Sequence, residues 1–535
     1  MFFSTITGAA LLAGSAVAAN LPTIDIKGSK FFYSNNGTQF FLRGVAYQEP
    51  SPSTNTNGYI DPLATLSSCQ RDIPYLQSLN TNTIRVYSVD PTQNHDDCMN
   101  AFADADIYVL VDLSAPNNGS INQNDPLWNT DLYSRYTAVI DNMNKYSNLL
   151  GFFAGNEVIN SANTTAAASY VKAVVRDAKA YIKQKNYRSI GVGYAAADVS
   201  SIRVQLADYL NCGDESDSID FFGDNVYEWC DPSTYTSSGY DQIVKNFSSY
   251  SVPYFFAEYG CLSPANGRTF KNIPTMYGDQ MTGVLNGGVV FEYFEQTNKL
   301  GLVTLDGNSV SKLPDFKNFQ TEIATVSPSP TPSSKYSPSN SAAACPTVDA
   351  VWAASSNLPP TPNEDLCNCM MSTLSCAVKS SFSSKSFAQL YSQLGGYKNK
   401  DVLAGVNHNS TSGVYGAYSM CSEIQKLSFA VNDYYNDQSD ENKSSACDFG
   451  GAATSTTSSS PSGTCSSLLN EAASGTGTVT SAPSGTGGSG GGSGAATSSG
   501  LAMPMHSPSA MVVGAWQLAA YVAVAAFTGA GMILL

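Results

Sequence analysis

Short apolar, β-branched or aromatic runs recur eight times between residues 40 and 293, and they constrain the fold of this chain more than any other feature. Between them lie segments whose apolar residues repeat at i, i+3 and i+4, the spacing of a helix with one buried face. Eight strands that alternate with helices over a span of this length predict a (β/α)8 TIM barrel, a fold of the α/β class. The strand runs are residues 40–47, 83–87, 107–113, 149–156, 189–194, 219–227, 253–257 and 287–293. The clearest helical segments are residues 63–79, 128–146 and 166–182.

An open, doubly wound α/β sheet is the alternative that the same alternation allows. Such a sheet would be expected to carry a glycine-rich phosphate-binding turn after an early strand. Neither a G-x-G-x-x-G sequence nor a Walker sequence is present there. The barrel is therefore the preferred prediction.

Two of the predicted strands lead into glutamate residues. Strand four ends at Asn156-Glu157 and strand seven ends at Glu258, so both carboxyls would lie at the C-terminal face, where barrel active sites are built. One such glutamate could simply mark where a strand meets water, but two of them predict a pair of carboxylates. Paired carboxylates cleave glycosidic bonds, and a separation of about 5–5.5 Å corresponds to retention through a covalent intermediate. Asn156 has the chemistry to hold a sugar 2-hydroxyl.

The charge balance argues against a nucleic-acid partner. The chain has 43 acidic and 27 basic residues, a formal net charge of −16, whereas nucleic acids bind positively charged surfaces. A neutral polymer is the better candidate. The three histidines (His95, His408 and His506) are too few and too scattered for a histidine-rich metal site, so no metal or other cofactor is expected. His95 lies in a polar stretch beside Cys98 and is expected at the surface.

Both ends of the chain have the composition of targeting segments. Residues 1–19 are uncharged and end in small residues, which predicts a cleaved secretory signal peptide. Residues 511–535 carry no charge and follow a small-residue cluster at 497–500, the pattern of a signal for a glycosylphosphatidylinositol (GPI) anchor. A transmembrane helix is the alternative, but no basic flank follows the apolar tail.

The twelve cysteines agree with a secreted protein, in which they are expected to form disulfides. Five precede a Pro/Ser-rich linker and seven follow it, so complete intramolecular pairing requires at least one bridge across the linker. Cys345, the first cysteine beyond the linker, is the natural candidate. The five are Cys69, Cys98, Cys212, Cys230 and Cys261, and the seven are Cys345, Cys367, Cys369, Cys376, Cys421, Cys447 and Cys465. Six Asn-x-Ser/Thr sequons predict N-glycosylation at Asn36, Asn118, Asn163, Asn246, Asn409 and Asn442.

Composition divides the chain beyond the signal peptide into successive segments. The cysteine-rich segment could in principle bind zinc, but the spacing of Cys367, Cys369 and Cys376 is not that of a zinc finger or ribbon. A small disulfide-rich, mostly helical module is predicted instead. The Ser/Thr/Gly-rich segment after it cannot bury a core, which predicts a disordered stalk that contains the GPI attachment region. The predicted segments are the barrel at 20–326, the linker at 327–344, the module at 345–465 and the stalk at 466–510.

Three short segments together resemble the motifs of glycoside hydrolase family 72, the fungal β-1,3-glucanosyltransferases. They are Arg85-Val86-Tyr87, Ala154-Gly155-Asn156-Glu157-Val158 and Phe256-Ala257-Glu258-Tyr259-Gly260. The resemblance extends over roughly residues 20–345, and it implies that Glu157 is the acid/base and Glu258 the nucleophile. In the implied reaction, a β-1,3-glucan is cleaved internally with retention and its new end is transferred to another glucan chain.

The resemblance also implies a glucan-binding cleft. The loop 114–123 follows the third predicted strand and carries amide side chains but no charge, which suits the hydroxyl groups of a neutral glucan. Phe291 occupies a position at which many family members have tyrosine, and it can stack on a sugar but cannot donate a hydrogen bond. The residues expected to line the cleft are Gln48, Tyr87, Asp112, Ser114, Asn122, Gln123, Asn156, Asp198, Arg203, Tyr227, Phe291 and Tyr293.

The cysteine-rich module resembles the β-1,3-glucan-binding module of family 43, so it could bind glucan or brace the barrel. The family resemblance pairs Cys345 with Cys212, Cys69 with Cys98, and Cys230 with Cys261. It also implies a GPI-anchored monomer on the outer face of the plasma membrane and in the cell wall, with glucan as donor and acceptor. A β-1,3-glucanase and a non-catalytic wall-binding protein are the alternatives, because hydrolysis uses the same two acids as transfer.

Overall fold

A small antiparallel sheet precedes the barrel and closes its lower end. The structure is a computed structural model that describes residues 21–479 and 481–483, apart from 52–54, 56–57, 118 and 264–266. Both predicted targeting segments and the sequon at Asn118 lie outside the described residues. The sheet consists of β1 (Ile24–Lys27), β2 (Lys30–Tyr33) and β3 (Gln39–Phe40). The apolar pattern of the sequence did not predict β1 or β2.

Eight parallel strands then form a closed barrel, which confirms the predicted fold class. The observed strands agree with the predicted runs to within a few residues. They are β4 (Leu42–Ala46), β5 (Thr83–Val86), β6 (Tyr108–Asp112), β7 (Leu149–Asn156), β8 (Gly191–Ala197), β9 (Phe222–Val226), β10 (Tyr254–Tyr259) and β11 (Leu285–Val290).

Helices connect the barrel strands, as the periodic segments predict. They are α1 (Leu66–Ser78), α2 (Asp96–Asp104), α3 (Thr130–Met143), α4 (Ala168–Gln184), α5 (Arg203–Asn211), α6 (Tyr240–Phe247) and α7 (Ile273–Met276). A hairpin of β12 (Val303–Asp306) and β13 (Ser309–Lys312) follows, and α8 (Pro314–Ile323) completes the barrel unit.

Aromatic side chains fill the lower end of the barrel. Phe31 and Phe40 of the small sheet join a buried cluster with Tyr108, Phe153 and Phe255. Because this cluster draws on residues near the starts of several strands, it blocks the N-terminal end of the barrel. Only the C-terminal face is left for a site at the barrel mouth.

The Pro/Ser-rich linker lies along the barrel as a strap. Lys27 Nζ donates to the carbonyl of Ser333 at 2.8 Å, and the Tyr336 hydroxyl lies 2.9 Å from the Ser29 hydroxyl. Asn340 Nδ2 donates to the carbonyl of Tyr250 at 2.9 Å. The strap ends at the Cys212–Cys345 disulfide, which is the predicted bridge across the linker.

A second, smaller unit follows the strap. Its elements are α9 (Glu364–Ser372), β14 (Cys376–Val378), α10 (Phe387–Gly395), β15 (His408–Asn409), β16 (Val414–Tyr415), α11 (Glu423–Asn436), α12 (Asp440–Ala446), β17 (Ala453–Ser455) and α13 (Gly463–Ala472). The predicted boundary at residue 465 is wrong, because it lies inside α13. Leu468 and Ala472 of that helix are buried in the core of the module, and the bridge to Cys369 fixes Cys465 in place. The segment is otherwise rich in Ser, Gly and Ala, so these few apolar residues were not enough to predict a helix there.

The module packs against the outer helices of the barrel. Trp352 is fully buried, and its ring centroid lies 5.1 Å from that of Tyr209 on α5. On α4, the Tyr170 hydroxyl donates to the carbonyl of His408 at 3.1 Å, and Asp177 accepts from Thr361 at 2.7 Å. Because the contacts involve two helices, they fix the orientation of the module.

Every cysteine of the chain lies in a disulfide. The structure contains the three bridges that the resemblance implies and three more inside the module. The bridges are Cys69–Cys98, Cys212–Cys345, Cys230–Cys261, Cys367–Cys421, Cys369–Cys465 and Cys376–Cys447. In the described part of the chain, no helix is both long and apolar enough to cross a bilayer.

His95 corrects one expectation from the sequence, because it is buried rather than at the surface. Its Nε2 lies 2.8 Å from Asp61 Oδ2 and its Nδ1 lies 2.6 Å from Asn142 Oδ1. The polar residues around His95 in sequence gave no sign that two partners from elsewhere in the chain would enclose it. The sequon asparagines outside residue 118 are all exposed, namely Asn36, Asn163, Asn246, Asn409 and Asn442.

Candidate active site

The two predicted acids lie at the C-terminal face of the barrel. Glu157 directly follows β7, and Glu258 is the penultimate residue of β10. Glu157 has a φ of 51°, in the left-handed region that residues other than glycine rarely adopt. Its backbone N–H donates to the carbonyl of Ala195 on β8 at 2.9 Å. The neighbouring strand therefore holds the turn that directs this side chain.

Three donors surround the carboxyl group of Glu258, which is only 6% exposed. The Tyr87 hydroxyl donates to Oε1 at 2.9 Å and the Tyr227 hydroxyl donates to Oε2 at 2.8 Å. Arg85 Nη1 donates to Oε1 at 3.3 Å. Both oxygens are thus fixed, which suits an ionised carboxylate.

Burial raises the pKa of Glu258 to about 7. Arg85 opposes this increase, the charge of Glu157 adds to it, and the two tyrosine hydroxyls again oppose it. A carboxylate with a raised pKa is more basic than one at the surface and is therefore a better nucleophile when it is ionised.

Arg85 is the central cation of the site and is fully buried. It donates to Asp112 twice, at 2.9 and 3.1 Å, and to Asn156 Oδ1 at 2.9 Å. Its guanidinium also lies 4.3 Å from the ring centroid of Tyr87. One side chain thus holds residues from four strands or strand ends, including Glu258.

Two asparagines connect Arg85 to Glu157. Asn225, in β9, donates from Nδ2 to Asn156 Oδ1 at 3.1 Å and to Glu157 Oε1 at 2.7 Å. Within the described residues, neither Glu157 Oε2 nor Asn156 Nδ2 makes a hydrogen bond, although their neighbouring atoms do. These two atoms are therefore available to a bound molecule, one as a proton carrier and the other as a donor to a hydroxyl.

Aromatic rings stand beside the two acids. The rings of Tyr87 and Phe291 meet edge to face with centroids 6.1 Å apart, and both residues are half-buried. Tyr227 is half-buried as well. Tyr293 does not belong to this group, because it is fully buried and its hydroxyl donates to Asp72 at 3.2 Å. Its ring packs on Tyr47, so the expected contact with a sugar is wrong for this residue.

Asp112 and Arg203 also differ from the expectation that they line an open cleft. Asp112 is 1% exposed, with both oxygens bonded to Arg85, so it positions Arg85. Arg203 is 4% exposed and forms ion pairs with Asp198, with Asp224 at 3.1 Å and with Glu228 at 3.0 Å. A sequence shows that such residues are charged, but it does not show that they are covered by their partners.

The remaining predicted residues lie in loops at the strand ends. Gln48 bonds to backbone on both sides, donating to Ile60 at 2.5 Å and accepting from Ser88 at 3.2 Å. Asn122 is exposed, whereas Ser114 and Gln123 are half-buried. In the described part of the chain, none of these side chains forms a hydrogen bond to Glu157 or Glu258.

Asn225 is the functional residue that the sequence analysis missed. It lies inside the predicted apolar run 219–227, where Phe221, Phe222 and Val226 surround it. An amide in the middle of a buried strand is nonetheless a signal, since a polar group placed there needs partners.

Comparison with known proteins assigns the two parts of the chain to two families. Residues 13–327 match the glucanosyltransferase family of glycoside hydrolases, family 72. Residues 374–454 match the X8 domain.

Two relatives and a solved structure agree with this assignment. A 1,3-beta-glucanosyltransferase of Arthroderma benhamiae is 48% identical over 100% of both chains. The 1,3-beta-glucanosyltransferase gas1 of Schizosaccharomyces pombe is 44% identical over 86% of this chain and 84% of its own length. The structure of Saccharomyces cerevisiae Gas2p in complex with laminaripentaose is 41% identical over 78% of this chain and 94% of that one, with a TM-score of 0.73.

Proposed function

The chain belongs to the glucanosyltransferase family, and we propose that it cleaves β-1,3-glucan internally and transfers the new end to a second glucan chain. The relative that matches the whole chain and the relative that matches 86% of it are both named 1,3-beta-glucanosyltransferases. The laminaripentaose bound to Gas2p supports a β-1,3-glucan as the substrate here. The net charge of −16 agrees with a neutral substrate.

The contrast between the two acids carries this proposal. Glu258 has both oxygens fixed by donors, whereas Glu157 has one oxygen fixed and the other available. A fixed carboxylate suits attack on carbon, and a carboxyl with an available oxygen suits proton transfer to and from a substrate.

In the first step, the ionised Glu258 attacks the anomeric carbon of the donor glucan. Glu157 gives its proton to the glycosidic oxygen, so the leaving chain departs as a neutral alcohol and a glycosyl-enzyme ester remains. Asn156 Nδ2 donates a hydrogen bond to the 2-hydroxyl of the reacting sugar. Arg85 holds Asn156 and Glu258 at the same time.

In the second step, Glu157 accepts the proton of an acceptor hydroxyl as that hydroxyl attacks the anomeric carbon. The ester bond to Glu258 breaks and the carboxylate is restored, so the configuration is retained after two inversions. Water in place of the acceptor would give hydrolysis by the same route. The aromatic faces of Tyr87, Tyr227 and Phe291 can pack on sugar rings and favour the acceptor glucan.

Product sizing tests the proposal. The purified protein is incubated with a reduced laminari-oligosaccharide, and the lengths of the products are measured. Products longer than the substrate are expected. Shorter products alone would identify a β-1,3-glucanase, and the absence of any product would identify a wall-binding protein.

We also propose that the protein works as a monomer outside the cell on a GPI anchor. Six disulfides agree with an oxidising compartment, and the compositions of residues 1–19 and 511–535 support a signal peptide and an anchor signal. A phosphatidylinositol-specific phospholipase should release the protein from membranes of the producing cell. Retention on the membrane after this treatment would favour a transmembrane helix.

A further inference from the structure

Asn225 bridges the two residues that lie at the end of β7. Its side chain is 1% exposed, and Nδ2 uses one hydrogen for Glu157 Oε1 and the other for Asn156 Oδ1. No other side chain in the described residues forms a hydrogen bond to the Glu157 carboxyl. The position of that carboxyl therefore depends on Asn225.

The orientation of the Asn225 amide follows from its neighbours. Arg85 Nη2 donates to Asn156 Oδ1 at 2.9 Å, so that oxygen must face donors. If the Asn225 amide were turned over, its oxygen would face Asn156 Oδ1 and the Glu157 carboxyl, which would bring acceptors together without a hydrogen. The nitrogen of Asn225 is therefore the atom that faces Glu157.

We propose that Asn225 is a positioning residue that selects which oxygen of Glu157 carries the catalytic proton. In a protonated carboxyl the carbonyl oxygen accepts a hydrogen bond better than the hydroxyl oxygen does, so the N–H donor at Oε1 favours the proton on Oε2. Oε2 is also the oxygen that lacks a partner in the described residues. This inference rests on the proposed function, in which Glu157 is the acid and base.

The two hydrogen bonds of Asn225 can be removed in two ways. Alanine at this position removes the donor to Glu157 Oε1. Aspartate keeps the shape of the side chain but places an acceptor where Nδ2 donates, so it should repel Oε1. In both variants the Glu157 carboxyl loses its fixed orientation, so proton transfer to the leaving oxygen should become less efficient.

The test compares two donors in three variants. Asn225→Ala and Asn225→Asp remove the hydrogen-bond donor, and Asn286→Ala is the matched control. Asn286 is a buried asparagine near the start of β11, and its Nδ2 donates to the carbonyls of Ser29 and Tyr254. One donor is a laminari-oligosaccharide, and the other carries a dinitrophenyl leaving group that needs no proton.

Both Asn225 variants should lose on the order of 100-fold in kcat/KM on the natural donor and less than about 10-fold on the dinitrophenyl donor. Asn286→Ala should keep the wild-type ratio of kcat/KM between the two donors. Equal losses on both donors would overturn the inference, because a merely structural defect has that pattern. If one variant fails to fold, as judged by its melting temperature, the other decides.

Failure of the proposed function can be told apart from failure of this inference. If the wild-type protein produces neither transfer nor hydrolysis products, the proposed function fails whatever the Asn225 variants do. If the wild-type protein is active and the variants do not separate the two donors, only the role of Asn225 fails.

Discussion

The hydroxyl of Tyr227 donates a hydrogen bond to Glu258 Oε2 at 2.8 Å, from the end of the strand that neighbours β10. Tyr87 makes the matching bond to the other oxygen at 2.9 Å. Both bonds favour the ionised carboxylate, while burial and the charge of Glu157 disfavour it and raise the pKa of Glu258 to about 7. The protonation of the nucleophile is therefore set by opposing groups that can be removed one at a time.

The acidic limb of the pH profile of kcat/KM should move when one of the groups around Glu258 is removed. Glu258 must be ionised to attack, so this limb reports its pKa in the free enzyme. Tyr227→Phe removes a donor to the ionised form, which should move the limb to higher pH. Glu157→Gln removes a negative charge and should move it to lower pH, measured on a dinitrophenyl donor that needs no acid.

The control for this pH shift is Tyr250→Phe. The Tyr250 hydroxyl donates to the carbonyl of Ala207 at 2.7 Å, away from both acids, so this variant should keep the wild-type limb. Limbs that move in the same direction in Tyr227→Phe and Glu157→Gln would contradict the assignment of Glu258 as the titrating nucleophile.

The roles of the two acids predict that their variants differ in activity between glucan and a dinitrophenyl donor. Glu157→Gln and Glu258→Gln should each reduce turnover of glucan by roughly 100-fold or more. On the dinitrophenyl donor, Glu157→Gln should lose much less than Glu258→Gln, because the leaving oxygen needs no proton. Initial rates on both donors check this, and equal losses would count against the roles. Azide should not restore turnover of Glu157→Gln on glucan, since the leaving chain still requires an acid in the first step.

The strands and the two acids could be predicted from the sequence, because each depends on a local pattern. Residues 149–155 carry no polar side chain, and Asn156 and Glu157 end this run abruptly. The network between the acids could not be predicted, because Arg85, Asn156 and Asn225 come from three strands and meet only after the barrel closes. Tyr293 shows the same limit, since the direction in which its ring points depends on the packing of Tyr47 and on the position of Asp72.

The burial of His95 predicts that stability depends on pH. Asn142 Nδ2 donates to the carbonyls of Pro91 and Gln93, so its oxygen faces His95 Nδ1, while Asp61 faces Nε2. Both ring nitrogens thus face acceptors, which requires the imidazolium. Burial lowers the pKa of His95, but the bonds to Asp61 and Asn142 outweigh it and the pKa lies above its usual value of 6.5.

The stabilisation from this imidazolium should be complete below the unfolded pKa and should disappear as the pH rises through the higher folded pKa. Melting temperatures across this range should therefore fall in the wild type and fall less in His95→Gln, which carries no titrating group. His408→Gln is the control, because His408 is partly exposed in the module. An identical pH dependence in the wild type and in His95→Gln would exclude this role.

The strap disulfide should matter for stability and not for catalysis. Cys212–Cys345 closes a segment of 133 residues, so replacing both cysteines by serine should lower the free energy of unfolding by about 2–5 kcal/mol. Cys345 ends the strap, which is tied to the small sheet at the lower end of the barrel. Turnover measured well below the melting temperature should therefore remain near the wild-type value.

The Cys230–Cys261 bridge provides the contrast to the strap. It joins the loops after β9 and β10, three residues beyond Tyr227 and Glu258 respectively. Its double serine variant should lose turnover at temperatures where it is still folded. If the strap variant lost more activity than this one, the separation of the strap from the active site would be wrong.

The loop 114–123 should bind glucan away from the reacting sugar. Asn122 is exposed, and within the described residues its Oδ1 accepts only from the backbone N–H of Asn124, at 2.9 Å. Gln123 Oε1 is buried and has no partner in that same part of the chain. Both amides can therefore form further hydrogen bonds, and remote hydrogen bonds lower the barrier for the reacting centre. Asn122→Ala combined with Gln123→Ala should reduce kcat/KM on long laminari-oligosaccharides by on the order of 10-fold, with a smaller effect on short ones. Because glucan is neutral, added salt should change neither value much.

The control is the double variant Gln77→Ala and Gln242→Ala. These two glutamines are exposed on α1 and α6, so their loss should leave kcat/KM unchanged on long and on short glucans. Equal losses on long and short glucans, or a steep dependence on salt, would exclude this loop as part of the glucan-binding cleft.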